Sequence, residues 1–194
     1  MTRPTLSAAL AVTAALVAIA VGAGTADAKV FDKEHFHESF VSDPYDCEGV
    51  PAVDSGEVDV HITAVLRGSS PFPAFREHFA GSLVTTNTDT GGTFTNLFAL
   101  NTQDHSIIDN GDGTITVTEN VAGSSRYYDQ FGKFVLNDPG SLRFAFELDY
   151  HGTPGNPDDY TLVPNSFRIV HGPTGNSDFL DRDFCADLRQ FTTP

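Results

Sequence analysis

Ser141-Leu142-Arg143-Phe144-Ala145-Phe146-Glu147-Leu148-Asp149-Tyr150 is the stretch on which the fold turns. Leu142, Phe144, Phe146, Leu148 and Tyr150 fall on one face at a period of two. Ser141, Arg143, Ala145, Glu147, Asp149 and, one residue on, His151 fall on the other. Successive side chains of a strand point to opposite sides, so this stretch has one dry wall and one wet wall. An antiparallel sheet with a single solvated face requires that alternation, and a helix does not produce it.

The same period recurs upstream. Val58, Val60, Ile62, Ala64 and Leu66 alternate with Asp59, His61, Thr63, Val65 and Arg67, and Ile115, Val117, Glu119 and Val121 with Thr114, Thr116, Thr118 and Asn120. Phe36-His37-Glu38-Ser39-Phe40 and Phe75-Arg76-Glu77-His78-Phe79 repeat it, and Phe94, Phe98 and Leu100 share a face. Turn-forming runs separate the strands: Thr88-Asp89-Thr90-Gly91-Gly92, Asp109-Asn110-Gly111-Asp112-Gly113, Gln130-Phe131-Gly132-Lys133 and Asp138-Pro139-Gly140. Asn-Gly and Asp-Gly pairs supply the positive φ of tight hairpins. Residues 177–190 are the one helical stretch. The fold expected is all-β: an antiparallel up-and-down β-barrel of about eight to ten strands with a short C-terminal helix. A two-sheet β-sandwich is the alternative.

Residues 1–28 read as a secretory signal peptide. Arg3 is the only cation before an uncharged Ala-rich run, and Ala26-Asp27-Ala28 provides the small residues of a cleavage site. Residues 29–194 then form a single domain, secreted and extracellular, with no membrane attachment after cleavage. An oxidising compartment lets the chain's two cysteines, Cys47 and Cys185, form one disulfide. The 26 acidic residues against 11 Lys and Arg give a net charge of −15. That balance excludes nucleic acid, whose binding draws on clustered cations.

Taken together, the His-Phe-His-Glu start, the Cys47 loop and Asp109-Asn110-Gly111-Asp112-Gly113-Thr114 resemble a group of uncharacterised secreted actinobacterial proteins. So do Asp138-Pro139-Gly140, His151-Gly152-Thr153-Pro154 and Asp183-Phe184-Cys185. The resemblance implies no activity. At the level of fold the meander is similar to lipocalin-like and allene-oxide-cyclase-like β-barrels, although the chain has no Trp for a lipocalin signature.

No nucleophile elbow, phosphate loop or His-Glu-x-x-His motif is present, and no cofactor is assigned. His35 and His37 share a strand face and can bind Zn²⁺ or Cu²⁺ only if another ligand converges, so no metal is assigned. The Asp109–Gly113 run lacks the twelfth-position Glu of a calcium loop and reads as a hairpin turn. Acidic residues around Cys47 and around Cys185 would be neighbours across the bridge, and whether they hold Ca²⁺ is open. The sharpest candidates are Glu38, Glu77 and Glu119, each placed by period two among apolar neighbours. A carboxyl in a dry interior has a raised pKa and can anchor a ligand or move a proton. Together with Phe144, Phe146 and Tyr150 they make a candidate site for a small apolar ligand in a Phe-lined cavity. Two other functions stand beside it: an extracellular surface or interaction protein with a filled core, and an isomerase- or cyclase-type barrel enzyme using a buried Glu. Catalytic residues and oligomeric state are not legible.

Overall fold

The computed structural model describes residues 30–178 and 180–193, so the export signal expected at residues 1–28 lies outside the described residues. Strands are numbered in chain order: β1 Val30–Val41, β2 Tyr45–Asp46, β3 Pro51–Leu66, β4 Pro73–Asn87 and β5 Thr93–Asp109. They continue as β6 Thr114–Tyr128, β7 Phe134–Asp149, β8 Thr161–Leu162 and β9 Arg168–Gly175. A short 3₁₀ turn, Pro157–Asp159, precedes β8, and helix α1 spans Phe184–Thr192.

All nine strands belong to one antiparallel sheet, ordered β1-β3-β4-β5-β6-β7-β8, with β2 beside β3 and β9 beside β7. The sheet curls into half a barrel. Among the described residues the ladder ends at β1 on one side and at β8 and β9 on the other, with no pairing between those edges. The curl has a local cause. A Cβ placed on Gly81 would stand 2.1 Å from the Glu57 carbonyl oxygen, and one on Gly123 would stand 2.2 Å from that of Ala99. The neighbouring strand lies where a side chain would otherwise be, which is how glycine lets long strands coil tightly.

Cross-strand register sorts the side chains. Val60 lies opposite Phe36 and Phe79, Phe79 opposite Leu100, and Val117 opposite both Ile107 and Phe146. These residues share the concave face. The outer face carries Glu57, Asp59, His61, His78, Asn101 and Arg143.

Two apolar clusters plug the ends of the trough. At one end Phe94 and Leu188 are buried with Cys47, Val50 and Ala52. The Phe94 ring stacks on Tyr127 at 5.3 Å and on Phe191 of α1 at 5.5 Å. The Asp183 carboxylate caps α1 by accepting from Ala186 N–H at 2.9 Å. The helix starts at Phe184 rather than at residue 177, and Arg182, just before the cap, pairs with Asp178 upstream and with Asp187 in the first turn. At the other end Phe72, Ile115, Val117 and Tyr160 pack with Phe146, Leu148 and Tyr150.

Cys47 and Cys185 form the bridge, with Cα atoms 5.3 Å apart across 138 residues of chain. It ties α1 to the loop between β2 and β3. Asp138-Pro139-Gly140, read as a turn, lies inside β7 instead. The β7–β9 pairing stops at Gly140, so Pro139 sits where its missing N–H faces no ladder partner on that side.

Candidate functional site

The middle of the concave face, between the two apolar plugs, carries three carboxyl groups on three adjacent strands. Glu77 comes from β4, Asp104 from β5 and Glu119 from β6. Glu77 lies directly opposite Thr102, and Asp104 directly opposite Glu119. Glu119 in turn faces Phe144 across the β6–β7 ladder, and Phe146 is the next inward residue of β7. Period two fixes the directions of Glu77, between Phe75 and Phe79, and of Glu119, between Val117 and Val121, on the dry wall. Asp104 follows Leu100 and Thr102 on the same face, just before the register shift that separates it from Ser106.

The hydrogen bonding is sparse. The Thr102 hydroxyl donates to Glu77 Oε2 at 2.9 Å, and the Phe75 N–H donates to Asp104 Oδ2 at 2.8 Å. Arg67 approaches, but its guanidinium donates to the main-chain carbonyls of Asp104, at 2.6 Å, and His105, at 3.3 Å. Asp104 is only 5% exposed.

Burial dominates the protonation of all three. It raises the Glu77 carboxyl above its ordinary range, with the Thr102 hydroxyl pulling the other way. Burial pushes Asp104 up to about 6 against the Phe75 hydrogen bond. Glu119 is pushed furthest, to about 8, by burial first and then by the neighbouring charges of Asp104 and Glu77. At neutral pH Glu119 is therefore mostly a neutral carboxylic acid, able to donate a hydrogen bond from an apolar wall.

Of the residues singled out in the sequence, Glu77, Glu119, Phe144 and Phe146 come together here. Tyr150 stands off, packed on Phe72 at 5.2 Å inside one end plug. Glu38 shares the concave face, opposite Val58, but it is exposed on the edge strand β1. The residue in line with Glu77 is Glu34, through Ile62. The arginines nearest in sequence pattern do not neutralise the group: Arg143 bonds Asn120 at 2.6 Å and Arg168 pairs with Glu147 at 3.7 Å, all on the outer face.

Three residues of the site escaped the sequence reading. Thr102 and Asp104 continue the Phe94, Phe98, Leu100 period, so their direction was readable. Their chemistry comes only from the partners across the ladder. Phe167 lies in the loop before β9 and meets Phe144 at 5.1 Å. No local pattern announces it.

Two further oxygens on the concave face, Asn96 Oδ1 and Asp138 Oδ1, are buried and meet no protein donor. Two hollows, of about 260 and 290 Å³, lie elsewhere. One is lined by Phe40, Gly56, Ser82 and Val84, the other by Leu97, Phe98 and Arg126, and both are shallow.

Of the acidic residues near the disulfide, Asp54, Asp178 and Asp187 are already engaged. Asp54 Oδ1 accepts from Thr85 at 2.6 Å and from Tyr45 at 3.1 Å, and Arg182 takes Asp178 and Asp187. The Asp109–Gly113 run is a hairpin turn, closed by Asn110 N–H to the Thr114 carbonyl at 3.0 Å. Among the described residues no helix is long and apolar enough to cross a membrane. No family model, curated protein or solved structure matches the chain.

Proposed function

We propose that the protein is an exported binding protein whose half-barrel trough takes a small apolar molecule, held at one polar point by the Glu119 carboxyl. The observation that carries this reading is the set of Glu77, Asp104 and Glu119 on the dry wall, with burial the largest cause of each raised pKa. Keeping three carboxyls there works against folding, and a structural role alone gives no reason to keep them. Phe144, Phe146 and Phe167 offer flat apolar contacts beside the acid. The unpaired Asn96 and Asp138 oxygens add acceptors that a ligand or an ordered water would satisfy. A ligand with an apolar body and one carbonyl or ether oxygen fits a neutral carboxylic acid donor. Export fits the signal-like start and the disulfide.

The test is binding of the neutral dye Nile red, followed by its fluorescence. The expected result is saturable binding that weakens by about tenfold in Phe144→Ala, with a smaller loss in Glu119→Gln, whose amide can still donate. Equal affinity in the wild type and both variants would remove the trough as the site.

A second reading, an extracellular interaction protein with a filled core, is favoured by the packed plugs and by the two shallow hollows lying away from the carboxyls. Under it Nile red does not saturate.

A further inference from the structure

The outer face of the sheet carries a band without acidic residues. Lys33 of β1, Arg76 of β4, Arg143 of β7 and His171 of β9 stand in one row across the ladder, with Thr63, Gln103 and Asn120 at the positions between. The adjoining row runs from His35 through His61 and His78 to Asn101, and ends in Ala122, Ser141 and Thr174. Neither row holds an Asp or a Glu. The chain has 26 acidic residues against 11 Lys and Arg, so a band that gathers cations and excludes acids runs against its composition.

These cations are not neutralised within the protein. Among the described residues Lys33, Arg76 and Arg143 take part in no ion pair. The Arg143 Nε–H donates to the Asn120 side-chain oxygen at 2.6 Å, a neutral partner that leaves the charge uncompensated. The acids on the two flanks are engaged, Asp59 with His37 at 3.1 Å and Glu147 with Arg168 at 3.7 Å. Lys33, Arg76, Asn101, Gln103 and His171 are exposed, so an approaching molecule meets them without rearrangement.

Adjacent strands lie about 4.8 Å apart, which separates Lys33 from Arg76 by about 10 Å along the row and Arg76 from Arg143 by about 14 Å. Duplex nucleic acid carries a charge every ~1.7 Å and binds clustered cations, a density this row does not match. Hydroxyl and amide groups stand between the cations, and the imidazoles beside them donate from a ring N–H in either protonation state. Widely spaced charges with neutral donors and acceptors between them suit a polymer whose own charges are separated by hydroxyl-bearing, uncharged units. We propose that this band is a docking surface for an acidic polysaccharide lying across the strands, with carboxylates at Lys33, Arg76 and Arg143 and hydroxyls against the side chains between. The net charge of −15 opposes a polyanion at long range, so attachment rests on several short-range contacts made at once. The surface lies on the other side of the sheet from the trough and does not depend on what the trough binds.

The test is binding of the tag-free protein to immobilised hyaluronan, a polymer with a carboxylate on every second sugar, beside neutral dextran and duplex DNA. The expected result is saturable binding to hyaluronan that weakens with added salt, and none to dextran. Lys33→Gln and Arg76→Gln should each weaken it about threefold, and the double variant about tenfold. Arg126→Gln removes the same charge from an exposed position of the outer face beyond the two rows, and should change binding by less than about 1.5-fold. No binding to hyaluronan, equally tight binding to dextran or DNA, a loss in Arg126→Gln equal to that in the row variants, or a double variant that binds like the wild type would each overturn the proposal. Amide NMR of the wild type gives a check that needs no variant. Hyaluronan should shift the signals of Lys33, Arg76, Gln103 and Asn120, and shifts confined to the trough or to α1 would contradict the surface.

Discussion

Glu119 stays protonated near neutral pH because its carboxyl stands between Asp104 and Phe144 on a wall that water reaches poorly. In the unfolded chain it titrates near 4.5, and in the folded chain near 8. Between those values the native state holds the extra proton, so stability falls as pH rises through the window. Asp104, raised to about 6, adds to the lower part of it, and Glu77 shifts in the same direction. Urea unfolding should therefore give a higher midpoint at about pH 5 than at about pH 8. Glu119→Gln should flatten that difference and stabilise the protein by roughly 1–3 kcal/mol at the alkaline end. A midpoint that rises with pH over this range would contradict the placement. The inward direction of Glu77 and Glu119 was legible from their Phe and Val neighbours. Local pattern held no information on the company they keep, because Asp104 meets Glu119 only through the β5–β6 register. It also could not separate Glu38, which has the same Phe-x-Glu-x-Phe setting on an edge strand that leaves it wet.

The elements differ in how much each carries. Helix α1 closes one end of the trough through Leu188, which is fully buried against Phe94 and Val50. Leu188→Ala should cost about 2–5 kcal/mol in thermal or urea unfolding, whereas exposed Leu180 replaced by Ala should change little. The Cys47–Cys185 bridge holds that helix to the loop after β2. On the loop-entropy account, reduction should remove up to about 5 kcal/mol. An unchanged midpoint in reductant would show that packing alone seats the helix. Gly81 gives a sharper contrast. Its missing Cβ leaves room for the Glu57 carbonyl, so Gly81→Ala should destabilise by about 1–3 kcal/mol, while Gly155→Ala, facing open space, should stay within about 0.5 kcal/mol. Strand existence was readable from period two in β3, β4, β6 and β7. Asp138-Pro139-Gly140 misled because its residue types suit a turn, and only the extent of β9 shows why a strand tolerates them there.

At the scale of the molecule, one sheet with a wet face and a dry face curls until its dry face becomes a trough. Alternation announces the two faces but not the degree of curl, which depends on where glycines such as Gly81 and Gly123 meet their neighbours. The ends of the trough are filled and its middle keeps three carboxyls between aromatic rings. That middle is the site on which the account rests. Carbon-13 NMR of the side-chain carboxyls, followed against pH, tests it most directly. The account predicts a Glu119 carboxyl that titrates near 8 and a Glu77 carboxyl above the ordinary Glu range. Glu119 and Glu77 both titrating near the model-peptide value of about 4.3 would place them in water and contradict the dry trough.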